Sequence, residues 1–183
     1  MLKRLPTAMA MLFALVIVAG CATSGGSTRL AIVERDGSYE LTVPVSRVIV
    51  LIPKATRVPV DVRHESPRYF YFQDRAAGMI ISGWFEAAEH YPGLQQLWSK
   101  DTAAWRTRGL QEPRNIRFTR IGKWEAISYD MAVPAGTNSH LRAQRIQAGT
   151  WVDVHLSVTS TQSSGANHVA LGKALAAIQV REK

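Results

Sequence analysis

Cysteine is almost absent from this chain of 183 residues, which has one, Cys21. A single cysteine cannot form an intramolecular disulfide, so the fold must be stable without one. Long apolar runs are also missing, because the stretch from Ala8 to Val18 is shorter than the roughly 20 residues that a membrane-spanning helix needs. The GxSxG pattern of α/β-hydrolases does not occur. These absences argue against a disulfide scaffold, a spanning helix and that class of hydrolase.

The segment before the cysteine has the three-part layout of a secretory signal. Lys3 and Arg4 give a positive start, the apolar stretch follows, and small residues precede Cys21. The four residues Val18-Ala19-Gly20-Cys21 resemble the lipobox of bacterial lipoproteins. That resemblance implies a lipid-modified Cys21 as the first mature residue. A soluble exported protein would fit the same run, but it would not need a cysteine there.

The lipobox resemblance also implies a location and a domain plan. An aspartate directly after the lipidated cysteine favours inner-membrane retention in such proteins, and this chain has Ala22 instead. We therefore expect an outer-membrane lipoprotein that faces the periplasm. The Gly- and Ser-rich stretch that follows is typical of a flexible tether. The predicted plan is a signal peptide over residues 1–20, a lipidated tether over 21–38 and one domain over 39–183.

Acidic residues are scarce, with 14 against 22 lysines and arginines, for a formal charge of +8. Loss of Lys3 and Arg4 with the signal leaves +8 − 2 = +6. A basic surface attracts anions. For an exported lipoprotein this predicts a membrane contact through the lipid and a partner that is an envelope protein or an anionic envelope component, rather than nucleic acid. Surface charge that serves only solubility is the alternative. No cofactor motif is present, and we expect a monomer.

The mature chain has the pattern of an antiparallel sheet with two helices. Leu94, Leu97, Trp98, Asp101 and Trp105 recur at helical spacing and predict an amphipathic helix over 94–108. A second helix is predicted from Val169 to Ile178. Alternating or β-branched segments, separated by turn residues, predict strands at 39–53 (two strands or one bulged strand), 68–74, 78–86, 115–122, 124–134, 139–149 and 150–160. The predicted fold class is α+β in one domain.

Three stretches, in this order, resemble the PsbP and Mog-type proteins: "SGWFEAAEHYPGLQQLW", "WEAISYDM" and a closing helix that ends in "IQVREK". The resemblance implies an αβα sandwich, with helices flanking an antiparallel sheet. It also implies a binding or accessory role without shared catalytic residues. The run "GTNSHLRAQRIQAGTWVDVHLS" resembles uncharacterised lipoproteins of Gram-negative bacteria, which agrees with the predicted location.

One predicted strand, "WVDVHLSV", carries polar groups on a single face. Alternation places Trp151, Asp153, His155 and Ser157 on one face and the aliphatic residues on the other. His140 and Arg142 join them if the preceding strand pairs with this one. A metal site needs three or four converging ligands, so none is predicted. A hydrolase could use Ser157, His155 and Asp153 as its catalytic residues. However, neighbours two apart on a strand stand about 7 Å apart, which is too far for hydrogen bonds between their side chains.

Aromatic residues are numerous, and their exposure separates the possible functions. The candidate binding surface consists of Tyr69, Tyr71, Arg142, Trp151, Asp153 and His155, with Arg68 and Arg145 at its rim. If these rings line an open groove, the protein is a binding module for an anionic or peptide partner. If the 94–108 helix seals them, a scaffold or accessory role follows. An immunity or inhibitor lipoprotein is a further alternative, and a metal-dependent or hydrolytic enzyme using Asp153 and His155 is the least favoured.

Overall fold

A computed structural model describes residues 29–161 and 163–183. The predicted signal peptide, Cys21 and the start of the tether lie outside the described residues. Eleven strands and two α-helices are present in this part. The strands are β1 Ala31–Arg35, β2 Ser38–Thr42, β3 Val48–Pro53, β4 Arg57–Pro59, β5 Tyr69–Asp74, β6 Met79–Ala87, β7 Arg114–Ile121, β8 Trp124–Val133, β9 Gly136–Gln147, β10 Thr150–Ser160 and β11 Gln179–Glu182; the helices are α1 Leu94–Thr107 and α2 Ser164–Ala176. Among the described residues, no helix is long and apolar enough to cross a bilayer.

Seven of the strands form one antiparallel sheet in the order β4-β5-β6-β10-β9-β8-β7. Strands β7 to β10 are consecutive neighbours, which confirms the predicted meander, and β5 pairs with β6 as the predicted hairpin. Gly83 of β6 is required where the Phe70 ring and the Asp153 carbonyl approach the backbone, because a Cβ atom there would overlap both. The sheet is therefore continuous through its centre, where β6 pairs with β10.

A second antiparallel sheet, in the order β1-β2-β3-β11, corrects two sequence predictions. The sequence predicts a tether up to residue 38, but Ala31–Arg35 forms β1 and Ser38 begins β2. The resemblance implies that the closing "IQVREK" ends a helix, yet Gln179–Glu182 pairs with β3. The helix ends earlier because β3 offers β11 a partner, and Val180 is buried there.

Both helices lie against the large sheet, on opposite faces. Helix α1 agrees with the predicted helix and follows Gly93, whose φ of 96° favours glycine. Helix α2 begins five residues before the predicted Val169, because the Ser163 side chain caps it by accepting a hydrogen bond from the Ala166 N–H.

The main core lies between the two sheets. Val152, Val154 and Leu156 of β10 are fully buried there, as the alternation predicts, and they belong to one cluster with residues of the small sheet and of α2. The other face of β10 is turned toward α1. The architecture is therefore α1, the large sheet, and a second layer made of the small sheet and α2. This second layer is where the structure departs from a simple αβα sandwich.

Candidate functional site

The register of β9 against β10 assembles the polar face that the sequence predicted. His155 lies opposite Arg142, and Ser157 lies opposite His140. The conditional prediction that His140 and Arg142 join the face of Asp153 and His155 is therefore confirmed. Helix α1 covers this face, and its Asp101 reaches the Arg142 guanidinium.

Arg142 is the centre of a buried ionic cluster. Its Nη2 and Nε atoms donate to Asp153 Oδ2 at 2.7 and 3.1 Å, and Nη1 donates to Asp101. The guanidinium carbon also lies 5.3 Å from the centre of the Trp84 ring. The Arg142 side chain is 13% exposed and that of Asp153 is 0% exposed. The positive charge is thus neutralised by two carboxylates and is not offered to an external anion.

Burial and pairing act in opposite directions on Asp153. Removal from water disfavours the carboxylate and raises the pKa of Asp153, while the adjacent Arg142 opposes that rise. Asp153 Oδ1 is buried without a hydrogen-bond partner in the part of the chain that the structure describes. Arg142 is consequently the largest compensation for the buried Asp153 carboxylate, and Gln144 contributes a smaller one.

Two histidines lie beside the ionic cluster, in a stack with Tyr129. The Tyr129 and His140 ring centres are 4.7 Å apart, and His140 Nδ1 is 3.0 Å from His155 Nε2. Burial lowers the pKa of His140 to about 4 and that of His155 to about 3. Both imidazoles are neutral at pH 7, so one donates and the other accepts the shared hydrogen bond.

Trp151 is sealed rather than presented to solvent. It is 6% exposed, its indole N–H donates to Gln144, and the rings of Trp84 and Tyr91 pack on it at 6.1 and 5.2 Å. Trp98 and Trp105 of α1 cover Tyr129 in the same way. Trp151 is thus covered by neighbouring rings, whereas Tyr69 and Tyr71 are not sealed beneath the helix and line a cavity.

The candidate surface therefore divides in two, which corrects its grouping. Arg142, Trp151, Asp153 and His155 lie beneath or beside α1. Tyr69 and Tyr71 are half-buried and line a separate cavity of about 650 Å³. The reason is that α1 contacts β8 and β9 on this face, whereas β5 lies further toward the sheet edge.

The cavity at Tyr69 and Tyr71 is bounded by segments that the sequence analysis did not single out. The connection 59–67 forms one wall, and Leu30 and Ile32 form another. The Leu30 N–H donates to the Pro67 carbonyl at 3.0 Å, which joins the two walls. We call this cavity the β5 groove. The sequence feature that could have indicated this cavity is the stretch "VPVDVRHESP", which carries Pro, Arg and His residues between two strands.

The β5 groove combines aromatic, apolar and charged groups. The His64 ring stacks on Tyr69 at 3.8 Å between ring centres, nearly parallel at 8°. Arg63 and Asp61 contribute one charge of each sign from the connection. Its volume is within the 300 to 1,000 Å³ that is typical, to order of magnitude, of small-molecule sites. The arrangement can hold a ligand against a flat aromatic wall.

A second polar cluster, also missed from the sequence, surrounds Asp130 of β8. Its carboxylate accepts hydrogen bonds from Asn115 at 2.8 Å and from Ser164 at 2.5 Å, and His168 Nε2 lies 3.0 Å away. Burial acts to raise the pKa of Asp130, but these hydrogen bonds lower it on balance. Ser164 bonds the carboxylate and not the imidazole, so the cluster is no nucleophilic triad. It ties the start of α2 to the sheet.

Metal chemistry has no assembled ligand set in the described part of the chain. Among residues 29–161 and 163–183, no group of three or more His, Cys, Asp or Glu side chains could hold an ion. Asp153 is paired with Arg142, and His155 is paired with His140. The two groups that could suggest an enzyme are therefore engaged with other partners.

Among the comparisons with known proteins, only the one with solved structures found matches, and it concerns the fold. No protein-family model matches the chain, and no curated protein matches it. A crystal structure of a protein from Bacteroides thetaiotaomicron matches with 10% identity and a TM-score of 0.46, covering 75% of this chain and 46% of that chain. The present chain thus spans less than half the length of that protein.

The solution structure of cyanobacterial PsbP (CyanoP) from Synechocystis sp. PCC 6803 matches with 12% identity and a TM-score of 0.51. The alignment covers 89% of this chain and 99% of that chain. At this identity the likeness concerns the fold alone. The chain has a PsbP-like fold of antiparallel sheets with two helices, and that part of the expectation is confirmed.

Proposed function

We propose that this protein is a lipid-anchored protein of the bacterial outer membrane, facing the periplasm, that binds another envelope component and catalyses no reaction. The β5 groove is the observation that carries the proposal. It is a large open cavity whose lining includes two residues of the candidate binding surface, Tyr69 and Tyr71. The buried Arg142 cluster supports a structural role for the rest of that surface.

The position of the β5 groove in the chain fits an anchored binder. Its wall includes Leu30, and Cys21 lies nine residues before Leu30 in the sequence. Nine residues of fully extended chain span at most about 32 Å. Acylation at Cys21 would hold the groove within that distance of the membrane surface, where a component of the same membrane has a high effective concentration. A modest affinity would then be sufficient.

The proposed ligand has an anionic group and a flat or apolar part. Arg63 can pair with an anion, and Tyr69 with His64 offers a stacked aromatic face. Asp61 disfavours a ligand that is uniformly negative. An envelope protein segment or an anionic envelope molecule has this chemistry.

Cys21→Ser should release the protein from the membrane into the soluble envelope fraction. The substitution keeps the size of the side chain but removes the sulfur that carries the lipid, and loss of the acyl chains removes most of the membrane affinity. Fractionation of cells grown with a palmitate analogue measures both effects. Wild-type protein that carries no label, or a Cys21→Ser protein that stays with the membrane, would contradict the anchor.

The double variant Tyr69→Ala, Tyr71→Ala should lose the bound component while the chain stays folded and anchored. Formaldehyde crosslinking in living cells, purification and mass spectrometry compare it with wild type. Val169→Ala is the control, because Val169 is an exposed apolar residue on α2, outside the groove. A component that is recovered equally with all three proteins would contradict binding at the β5 groove.

A further inference from the structure

The last strand of the large sheet, β7, has an open edge. It pairs with β8 on one side and ends the sheet on the other. Seven of its eight residues are exposed. The opposite edge strand, β4, has only three residues. An open edge of this length can accept a further strand by main-chain hydrogen bonds.

The open edge is regular only in its second half. A register shift between Arg114 and Arg117, with Asn115 at a φ of 54°, marks a bulge. Beyond the bulge, Arg117 to Ile121 pairs with β8 residue by residue. Ile121 and Trp124 close the two-residue turn, so Phe118 and Arg120 are the residues whose N–H and C=O groups point away from β8.

Exposed apolar side chains accompany this edge. Phe118 is 47% exposed and Ile116 is 43% exposed. Phe118 lines a cavity of about 570 Å³ together with the first turn of α1, and Ile116 lines a smaller one with Trp98 and Trp105. Side chains at alternate positions of an added strand would contact these apolar surfaces.

The charges along β7 have one sign. Three exposed cations belong to β7, Arg114, Arg117 and Arg120, and the exposed Lys123 lies in the turn that follows it. Within the described chain, Arg120 is the only one of the four in an ion pair, at 3.5 Å from Glu125. Four cations on one edge repel a second copy of the same edge. They attract an extended segment that carries carboxylates.

We propose that β7 is a docking edge for an acidic, extended segment of another protein, which adds as an eighth strand beside Arg117–Ile121. Main-chain hydrogen bonds to Phe118 and Arg120 hold the segment in register. Its carboxylates pair with the arginines, and its apolar side chains pack on Phe118 and Ile116. This surface is separate from the β5 groove, so it can be tested independently of the function proposed above.

The test uses the full chain in detergent and a fluorescent ten-residue peptide that alternates Glu with Val. Binding is measured by fluorescence anisotropy. Replacement of Arg114, Arg117 and Arg120 by Gln should weaken binding about tenfold, because three exposed ion pairs are lost. The control with the same total charge replaces Arg35, Arg75 and Arg181 by Gln, and it should bind as wild type does.

The main-chain contribution is isolated by two variants at one position. Arg120→Ala removes the charge, and Arg120→Pro removes the charge and the outward N–H. The Arg120→Pro protein should therefore bind the peptide about fivefold more weakly than the Arg120→Ala protein. Amide exchange in the wild-type protein is the second measurement and needs no variant. The peptide should slow exchange at Phe118 and Arg120.

Several results would overturn the docking edge. The first is that a peptide alternating Lys with Val binds as tightly as the Glu-Val peptide. The second is that the two triple variants lose the same amount of peptide affinity. The third is that amide exchange at Phe118 and Arg120 does not change when the peptide is bound. Absence of binding up to about 1 mM peptide would also overturn it. Self-association through β7, detected by sedimentation and abolished by Arg120→Pro, would replace the peptide partner with a second copy.

Discussion

Arg142→Met should lower the free energy of unfolding by about 3 to 5 kcal/mol, because removing one partner of a buried ion pair leaves the other charge uncompensated. Asp153 is fully buried, and it receives two hydrogen bonds from Arg142. Its other carboxylate oxygen has no partner among the described residues. Methionine keeps much of the side-chain volume, so the loss reports on charge. Urea denaturation at pH 7 measures it.

A double variant separates the charge from the packing. Arg142→Met with Asp153→Leu removes both charges and should recover most of the stability that Arg142→Met loses, since apolar replacements of a buried pair are often neutral. Asp101 stays partly exposed on α1 and can be hydrated. A single variant that loses less than about 1 kcal/mol, the range of exposed ion pairs, would show that the cluster is not a buried structural pair.

Acidification from pH 7.5 to 5 should destabilise the protein by about 4 kcal/mol through His140 and His155. Both have an ordinary pKa of 6.5, and burial lowers these values to about 4 and about 3 in the folded protein. Below pH 6.5 the unfolded chain therefore binds protons that the folded chain excludes. The stability is complete above pH 6.5 and is lost as the pH falls toward 4. Urea midpoints at the two pH values measure the loss.

The double variant His140→Gln, His155→Gln should remove most of this pH dependence, because glutamine does not titrate. His64→Gln is the matched control, since it makes the same substitution at an exposed histidine outside the stack of Tyr129, His140 and His155. A wild-type protein that is equally stable at pH 7.5 and 5 would show that the two imidazoles are accessible to protons. The same result would contradict the sealing of this face by α1.

The large sheet and the polar face of β10 could be predicted because their signals are local. Alternation in "WVDVHLSV" assigns Asp153 and His155 to one face and Val152 and Val154 to the core, and short turns place β9 beside β10. Helix α1 follows from the spacing of its apolar residues. In these elements the local pattern and the tertiary packing favour the same structure.

The two central strands of the small sheet, β2 and β3, agree with the strands predicted at 39–53, but its outer strands, β1 and β11, could not be predicted because they depend on distant partners. Ala31–Arg35 has no buried residue, and Gln179–Glu182 is four residues long with one buried side chain, so neither has a clear pattern. The covering of Trp151 depends on where Tyr91 lies over the sheet, and the β5 groove depends on the 59–67 connection. Strand alternation assigns a face, but it does not determine what packs on that face.

The most direct test of the proposed function places a photoreactive phenylalanine analogue at Tyr71 in living cells, in the wild-type chain and in the Cys21→Ser chain. The account predicts one defined crosslinked product from position 71 of the anchored protein. That product should be strongly reduced by Cys21→Ser, because release from the membrane lowers the effective concentration of a membrane partner. It should be absent when the analogue replaces Val169. The same products from positions 71 and 169, or none from position 71, would contradict a membrane-anchored protein that binds through the β5 groove.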